Sequence, residues 1–170
     1  MVRISHIVAM ANNRVIGYQN QLPWYIKGEL AWFKKNSLHK PVIMGRKTWE
    51  SLPKKPLPER DNIILTKNRD YKAKGALICH SWQAAYELAQ KKAQDEITII
   101  GGSELFIYSL PFINKLYLTH IDAEPQGDAF YPDIDLSQWN MTYQAKGPYA
   151  EASSQYPQGY GCHFYIYERD

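Results

Sequence analysis

Short apolar runs, each closed by a polar or glycine-bearing turn, set the rhythm of this chain. Residues 4–10 are apolar on both faces from Ile7 to Ala9, the pattern of a strand buried at the centre of a sheet. Similar runs recur at 41–44, 62–66, 76–79, 96–100 and 115–121. Helical stretches lie between them: about 27–37, 48–52, 81–92 with Ser81 as its cap, and 103–110 opened by Ser103. From Trp139 the character alternates, and 163–167 reads as a closing antiparallel strand. Strands and helices alternating through the first two thirds predict right-handed βαβ crossovers and a mostly parallel sheet, an α/β fold. There is no repeat and no low-complexity linker, so residues 1–170 are expected to form one domain.

Composition narrows the class. At 170 residues a single core needs no staples, and roughly 70% of the unfolded surface is expected to be buried. Charged residues make up 22% and hydrophobic residues 45%, with a net charge of +3 and no basic run. Nucleic acid is therefore not an expected partner. Cys79 and Cys162 read as buried thiols of a reducing compartment, and the scattered histidines have no metal spacing. No apolar stretch reaches membrane length and no signal peptide precedes the first strand, so the expected location is cytoplasmic.

In parallel sheets ligands bind beyond the carboxyl ends of the strands, so the turns there carry the chemistry. Glu29 lies in Leu22-Pro23-Trp24-Tyr25-Ile26-Lys27-Gly28-Glu29-Leu30-Ala31-Trp32-Phe33. If it opens a helix, Trp32 and Phe33 stand over the same face, which sets a carboxylate against large rings. It is then either a buried acid whose partner is a ligand, or a solvated first-turn residue favoured by the helix dipole. Gly45-Arg46-Lys47-Thr48 passes from strand to helix and Thr66-Lys67 follows the next strand; together they are a phosphate clamp or a solvated basic rim. Gly101-Gly102 is a second phosphate cradle or a plain turn. Arg60, in a proline-set loop, grips a carboxylate or pairs with Glu59 or Asp61. Thr119 gives its hydroxyl to Glu29 or is an ordinary strand residue. The Gly-x-Gly-x-x-Gly fingerprint is missing, as is any nucleophile with a base, which favours cofactor-borne chemistry.

These segments, with Arg14-Val15-Ile16-Gly17, Lys40-Pro41-Val42-Ile43-Met44, Trp49-Glu50-Ser51, Pro56-Leu57-Pro58 and Leu116-Tyr117-Leu118-Thr119-His120-Ile121-Asp122-Ala123-Glu124, are similar from end to end to the bacterial dihydrofolate reductases. The resemblance implies an eight-stranded, mostly parallel sheet with an antiparallel C-terminal strand and flanking helices. It implies hydride transfer from NADPH to 7,8-dihydrofolate, giving tetrahydrofolate for one-carbon metabolism, in a monomer inhibited by trimethoprim-like diaminopyrimidines. Glu29 becomes the acid that anchors the pterin, oriented by Thr119, with Leu22 and Trp24 beside it in the lid loop 11–24. Ile7, Val8, Leu30, Phe33, Leu52, Leu57 and Ile100 become the substrate walls, and Arg60 the grip on the glutamate α-carboxylate.

For NADPH the resemblance implies Ala9, Ile16, Gly17, Asn20, Leu22, Gly45, Arg46, Lys47, Thr48, Leu65, Thr66, Lys67, His80, Ile100, Gly101, Gly102, Ser103, Glu104, Leu105 and Phe106. The chain departs from the pattern in four residues and in one extra residue near Lys54-Lys55. Glu29 stands where bacterial members usually have Asp, and Leu22 where methionine is common. Ser103 replaces a frequent third glycine, and Glu104 a residue that is basic in some members. Two alternatives accompany this expectation: a folate- or nucleotide-binding module without turnover, and a reductase for a related pterin or a pyrimidine precursor.

Overall fold

The computed structural model describes residues 2–24, 26, 28–154 and 156–170. Its strands and helices run in the order β1 (Arg3–Ala11), β2 (Val15–Gly17), α1 (Glu29–Ser37), β3 (Val42–Gly45), α2 (Arg46–Ser51), β4 (Asn62–Leu65), β5 (Leu77–Cys79), α3 (Trp82–Lys92), β6 (Glu96–Ile99), α4 (Ser103–Ser109), β7 (Lys115–Ile121), β8 (Ala129–Phe130), β9 (Asn140–Ala150) and β10 (Tyr160–Glu168). The main sheet has the order β5-β4-β3-β6-β1-β7-β10-β9. From β5 to β7 it is parallel; β10 runs antiparallel to β7, and β9 to β10. The mostly parallel eight-stranded sheet is thus the one expected. Two elements differ. The tail folds into two long antiparallel strands, not one, and β2 pairs with β8 in a separate ribbon. The start expected for the first helix, Lys27, lies outside the described residues.

The order explains where the site must be. From β1 the chain steps to β3, β4 and β5 on one side; from β5 it returns to β6 and then passes beyond β1 to β7. Right-handed crossovers put α1 and α2 on one face of the sheet, and α3 and α4 on the other. The direction reverses between β6 and β1, and a crevice opens beyond their carboxyl ends. Strand alternation then sorts the side chains. Val8 and Met10 of β1 join Ile97, Ile99, Leu105 and Phe106 under α3 and α4. Ile7 joins Trp32 and Tyr117 under α1. Among the described residues no helix is long and apolar enough to cross a membrane.

Candidate active site

Glu29 is the first residue of α1, after Gly28, which takes the left-handed conformation at φ 91°. The tight entry turns the side chain inward, and Glu29 is only 6% exposed. The solvated alternative is therefore wrong for this residue. Burial raises its pKa above the usual carboxylate value, while a hydrogen bond from the Thr119 hydroxyl acts in the opposite sense. Thr119 belongs to the α1 face of β7, in register with Ala9 of β1, so the acid sits over β1 and β7. The Cys162 thiol is pushed up to about 11, first by burial and then by the charge of Glu29. Trp24 packs in the same cluster as Cys162, and its indole N–H reaches no acceptor among the described residues.

The apolar walls meet at Ile100. It packs with Ile7, Trp32 and Phe33 on one side and with Leu52, Leu57 and Trp49 on the other. Five expected substrate-wall residues are thus brought together; Leu30, at 57% exposure, stands at the rim. Val8 is not among them. Its side chain turns to the opposite face of β1, as strand alternation requires, so only its backbone is available to the crevice.

Arg60 closes the far end. Its Nε donates to the Pro58 carbonyl and its Nη1 to Ser37 Oγ, each at 2.8 Å, and its guanidinium lies 6.0 Å from the Phe33 ring centroid. It forms no salt bridge with Glu59 or Asp61, and Nη2 makes no hydrogen bond among the described residues. Asn62, buried at the start of β4, pins this loop: Leu57 N–H donates to its Oδ1, and its Nδ2 donates to the Leu57 and Arg60 carbonyls. Ser37 and Asn62 were not anticipated as supports. An Asn that follows a proline-set loop and can satisfy loop backbone groups was the available signal.

The expected phosphate side gathers at the ends of β3, β4 and β6. Gly101 and Gly102 are joined by a cis peptide, with Gly101 at φ 120°. The Gly45 N–H donates to the Gly101 carbonyl at 2.8 Å, which locks the two turns together. A Cβ on Gly101 or Gly102 would stand 3.6 or 3.5 Å from Thr48 Oγ1, so the glycines leave bare backbone facing that hydroxyl. Arg46 bonds Glu50 at 2.8 Å, and Tyr71 donates to the other oxygen of Glu50. Lys47 and Lys67 are exposed. His80 Nδ1 donates to the Thr66 carbonyl at 2.9 Å and braces that turn; Leu65 ends β4 beside it. Leu105 and Phe106 turn into the core, so what they offer a cofactor is the backbone of the first turn of α4. Glu104 is exposed in that turn.

The lid loop is braced from outside. Tyr18 and Gln21 exchange backbone hydrogen bonds around Gln19 and Asn20, both at positive φ, the signature of a tight type I′ hairpin. Asp128 donates its N–H to the Gly17 carbonyl and accepts Gln19 N–H on its carboxylate. A Cβ at Gly127 would collide with the Val15 side chain, so this crossing needs glycine. Ile16 and Gly17 lie in β2; Leu22 is exposed. Behind the lid, a cavity of about 400 Å³ is walled by Pro23, Trp24, Pro125, Tyr156 and Tyr160.

The family model described as dihydrofolate reductase matches residues 3–169. The dihydrofolate reductase of Haemophilus influenzae is 42% identical over 167 residues, covering 97% of this chain and 98% of that protein. That of Neisseria meningitidis serogroup B is 41% identical over 156 residues, covering 92% and 95%. A solved structure of dihydrofolate reductase from Enterococcus faecalis, complexed with NADP(H) and RAB-propyl, superposes with a TM-score of 0.81 at 33% identity, covering 99% of this chain and 96% of that one. A buried acid beside the switch point, an arginine at one end of the crevice and bare glycine backbone at the other are thus found in a chain that belongs to the dihydrofolate reductase family.

Proposed function

We propose that Glu29 anchors the pterin of 7,8-dihydrofolate, that Arg60 holds its glutamate, and that NADPH lies along the carboxyl ends of β3, β4 and β6. The protein is an NADPH-dependent oxidoreductase that reduces 7,8-dihydrofolate to 5,6,7,8-tetrahydrofolate, which supplies one-carbon metabolism. The observation that carries the site assignment is the burial of Glu29 with one hydroxyl donor, Thr119, over β1 and β7 beside the reversal point of the sheet.

The residues present fit the cofactor. Gly101 and Gly102 expose backbone beside Thr48, suited to a pyrophosphate. Arg46 and Lys47 follow β3, and Thr66 and Lys67 follow the neighbouring β4, a placement suited to an adenosine 2′-phosphate. When bound, NADPH supplies the hydride. The chain does the rest. Ile7, Phe33, Leu52, Leu57 and Ile100 exclude water and hold the ring flat. The Glu29 carboxylate accepts hydrogen bonds from the pterin and places negative charge where a protonated ring nitrogen is favoured. That charge favours the protonated nitrogen, and water carries the proton to it. Trp24 offers its N–H, which reaches no acceptor among the described residues, to that water or to the ring. Leu22 and the ribbon of β2 and β8 cover the reacting face.

The chain is taken to be one domain over 1–170 and to work as a monomer, as the resemblance to the family implies. Cytoplasmic residence suits its two free thiols. A protonated diaminopyrimidine of trimethoprim type should pair with Glu29 and compete with dihydrofolate. The test is loss of NADPH absorbance on adding dihydrofolate, with a pteroate lacking glutamate and a pyrimidine precursor as comparators. Faster turnover of either comparator would move the assignment of Arg60 or of the pterin pocket; binding without turnover would leave a carrier.

A further inference from the structure

We propose that His6 is a positioning residue, a neutral hydrogen-bond relay that fixes the cofactor helix α4 against the strand that holds the lid. It rests on the assignment of NADPH to the turn at 101–103.

His6 is fully buried in β1, on the face turned away from Glu29. Its Nδ1 lies 2.7 Å from Tyr131 Oη and its Nε2 2.7 Å from Ser109 Oγ. A proton count sets the direction. Ser109 Oγ donates its hydrogen to the Leu105 carbonyl at 2.6 Å, so toward His6 it accepts, and Nε2 carries the imidazole proton. Nδ1 is then a lone pair and accepts the Tyr131 hydroxyl. Burial, aided by the Arg169 cation, holds the imidazole pKa down to about 3, and burial keeps the Tyr131 phenol protonated. Each group therefore has one role at any ordinary pH, and every polar atom of the relay is satisfied, which a buried histidine requires.

The relay joins two working parts. Ser109 is the last residue of α4, whose start is the glycine turn. Phe106 of that helix packs 4.8 Å from the His6 ring and lies under Gly101, where a Cβ would meet its Cε2 at 3.2 Å. At the other end, Tyr131 is tied to the lid. Its N–H donates to the Arg14 carbonyl at 2.9 Å, and its own carbonyl accepts from Arg14 Nη1 at 2.8 Å. The preceding residue, Phe130, pairs with Val15 and donates its N–H to Ser103 Oγ at 3.1 Å. One short segment thus holds α4 at its first residue directly and at its last through His6. Two attachments fix the tilt of a helix as well as its height, and sub-ångström placement governs transfer between bound reactants.

The test uses the full chain and the variants Tyr131→Phe, His6→Leu and their double. Tyr131→Phe removes one oxygen and is expected to raise the NADPH dissociation constant about fivefold, the scale of one lost neutral hydrogen bond. It should slow single-turnover hydride transfer while leaving the KM for dihydrofolate within about twofold, and the double variant should cost no more than His6→Leu alone. Nitrogen-15 shifts of His6 should show a protonated Nε2 and a bare Nδ1. A proton on Nδ1 would overturn the relay. So would lower melting temperatures with NADPH affinity and hydride transfer unchanged, which would make His6 mere core. NADPH must also move the amide resonances of Gly101, Gly102 and Ser103. If it does not, the cofactor seat is wrong and the relay falls with it; if it does and Tyr131→Phe changes neither constant, the relay alone is wrong.

Discussion

Glu29→Gln separates the charge of the acid from its shape, and the structure predicts opposite effects on activity and stability. Gln keeps an acceptor for Thr119 and nearly the same volume, but has no charge to favour a protonated ring nitrogen and none to bury. A placed group that assists proton transfer, directly or through a water, contributes about 100- to 10,000-fold, so hydride transfer should fall at least about 100-fold near neutral pH, or ~2.7 kcal/mol of barrier. The deficit should shrink as pH falls and solvent supplies the proton. Stability moves the other way. Burial raises the pKa of Glu29 in the folded state above its unfolded value, so the folded state binds more protons. The stability this confers is fully present below the unfolded pKa and is lost as pH rises through the folded one. Gln escapes that loss. Its melting temperature should exceed wild type at neutral pH, by about 2–4 °C for each ~1 kcal/mol relieved, and the gap should close in mild acid. Stopped-flow hydride transfer and thermal melts across pH, run on both proteins, measure both effects. A Gln variant within about threefold of wild type at neutral pH would refute the chemistry. A variant less stable at neutral pH than in acid, relative to wild type, would refute the burial argument.

The hydrogen bond from Thr119 lowers the proton affinity of Glu29, so Thr119→Val should shift the pH profile of kcat/KM to higher pH with only a modest loss of rate; an unmoved profile would remove Thr119 from the site. Arg60→Lys loses the fork geometry and should weaken dihydrofolate about ten- to a hundredfold while sparing a pteroate without glutamate, as read by inhibition constants. Equal losses would deny the carboxylate grip. Arg46→Ala should weaken NADPH about tenfold and leave NADH unchanged, whereas Glu50→Gln, which releases Arg46 from its exposed salt bridge, should tighten NADPH slightly. Titrations of both nucleotides against the two variants decide this, and a matching loss of NADH would take Arg46 off the 2′-phosphate.

The strand-end turns were legible because a buried parallel strand must end in a turn, and glycines and cations there are conspicuous. Glu29 was legible only as a choice between two states; its burial comes from the left-handed entry at Gly28 and from Thr119 across the sheet, neither of which local spacing encodes. Side-chain direction was harder. Val8, Leu105 and Phe106 lie beside the crevice in sequence but face the core, because the parity of a strand and the inner face of a short helix decide where each points. The supports were the least visible. Asn62 and Ser37 act on Arg60 through loop carbonyls and a hydroxyl, and β8 is a two-residue strand with no periodicity to read. His6 interrupts an apolar run, and only the fold shows that Tyr131 and Ser109 satisfy it.

One crystal structure of this chain with NADP⁺ and folate tests the central claim most directly. The account predicts the pterin hydrogen-bonded to the Glu29 carboxylate, the glutamate α-carboxylate on Arg60, the pyrophosphate against Gly101 and Gly102, and the 2′-phosphate among Arg46, Lys47, Thr66 and Lys67. A pterin seated elsewhere, such as the cavity behind the lid between Trp24 and Tyr156, with Glu29 still covered by protein, would contradict it.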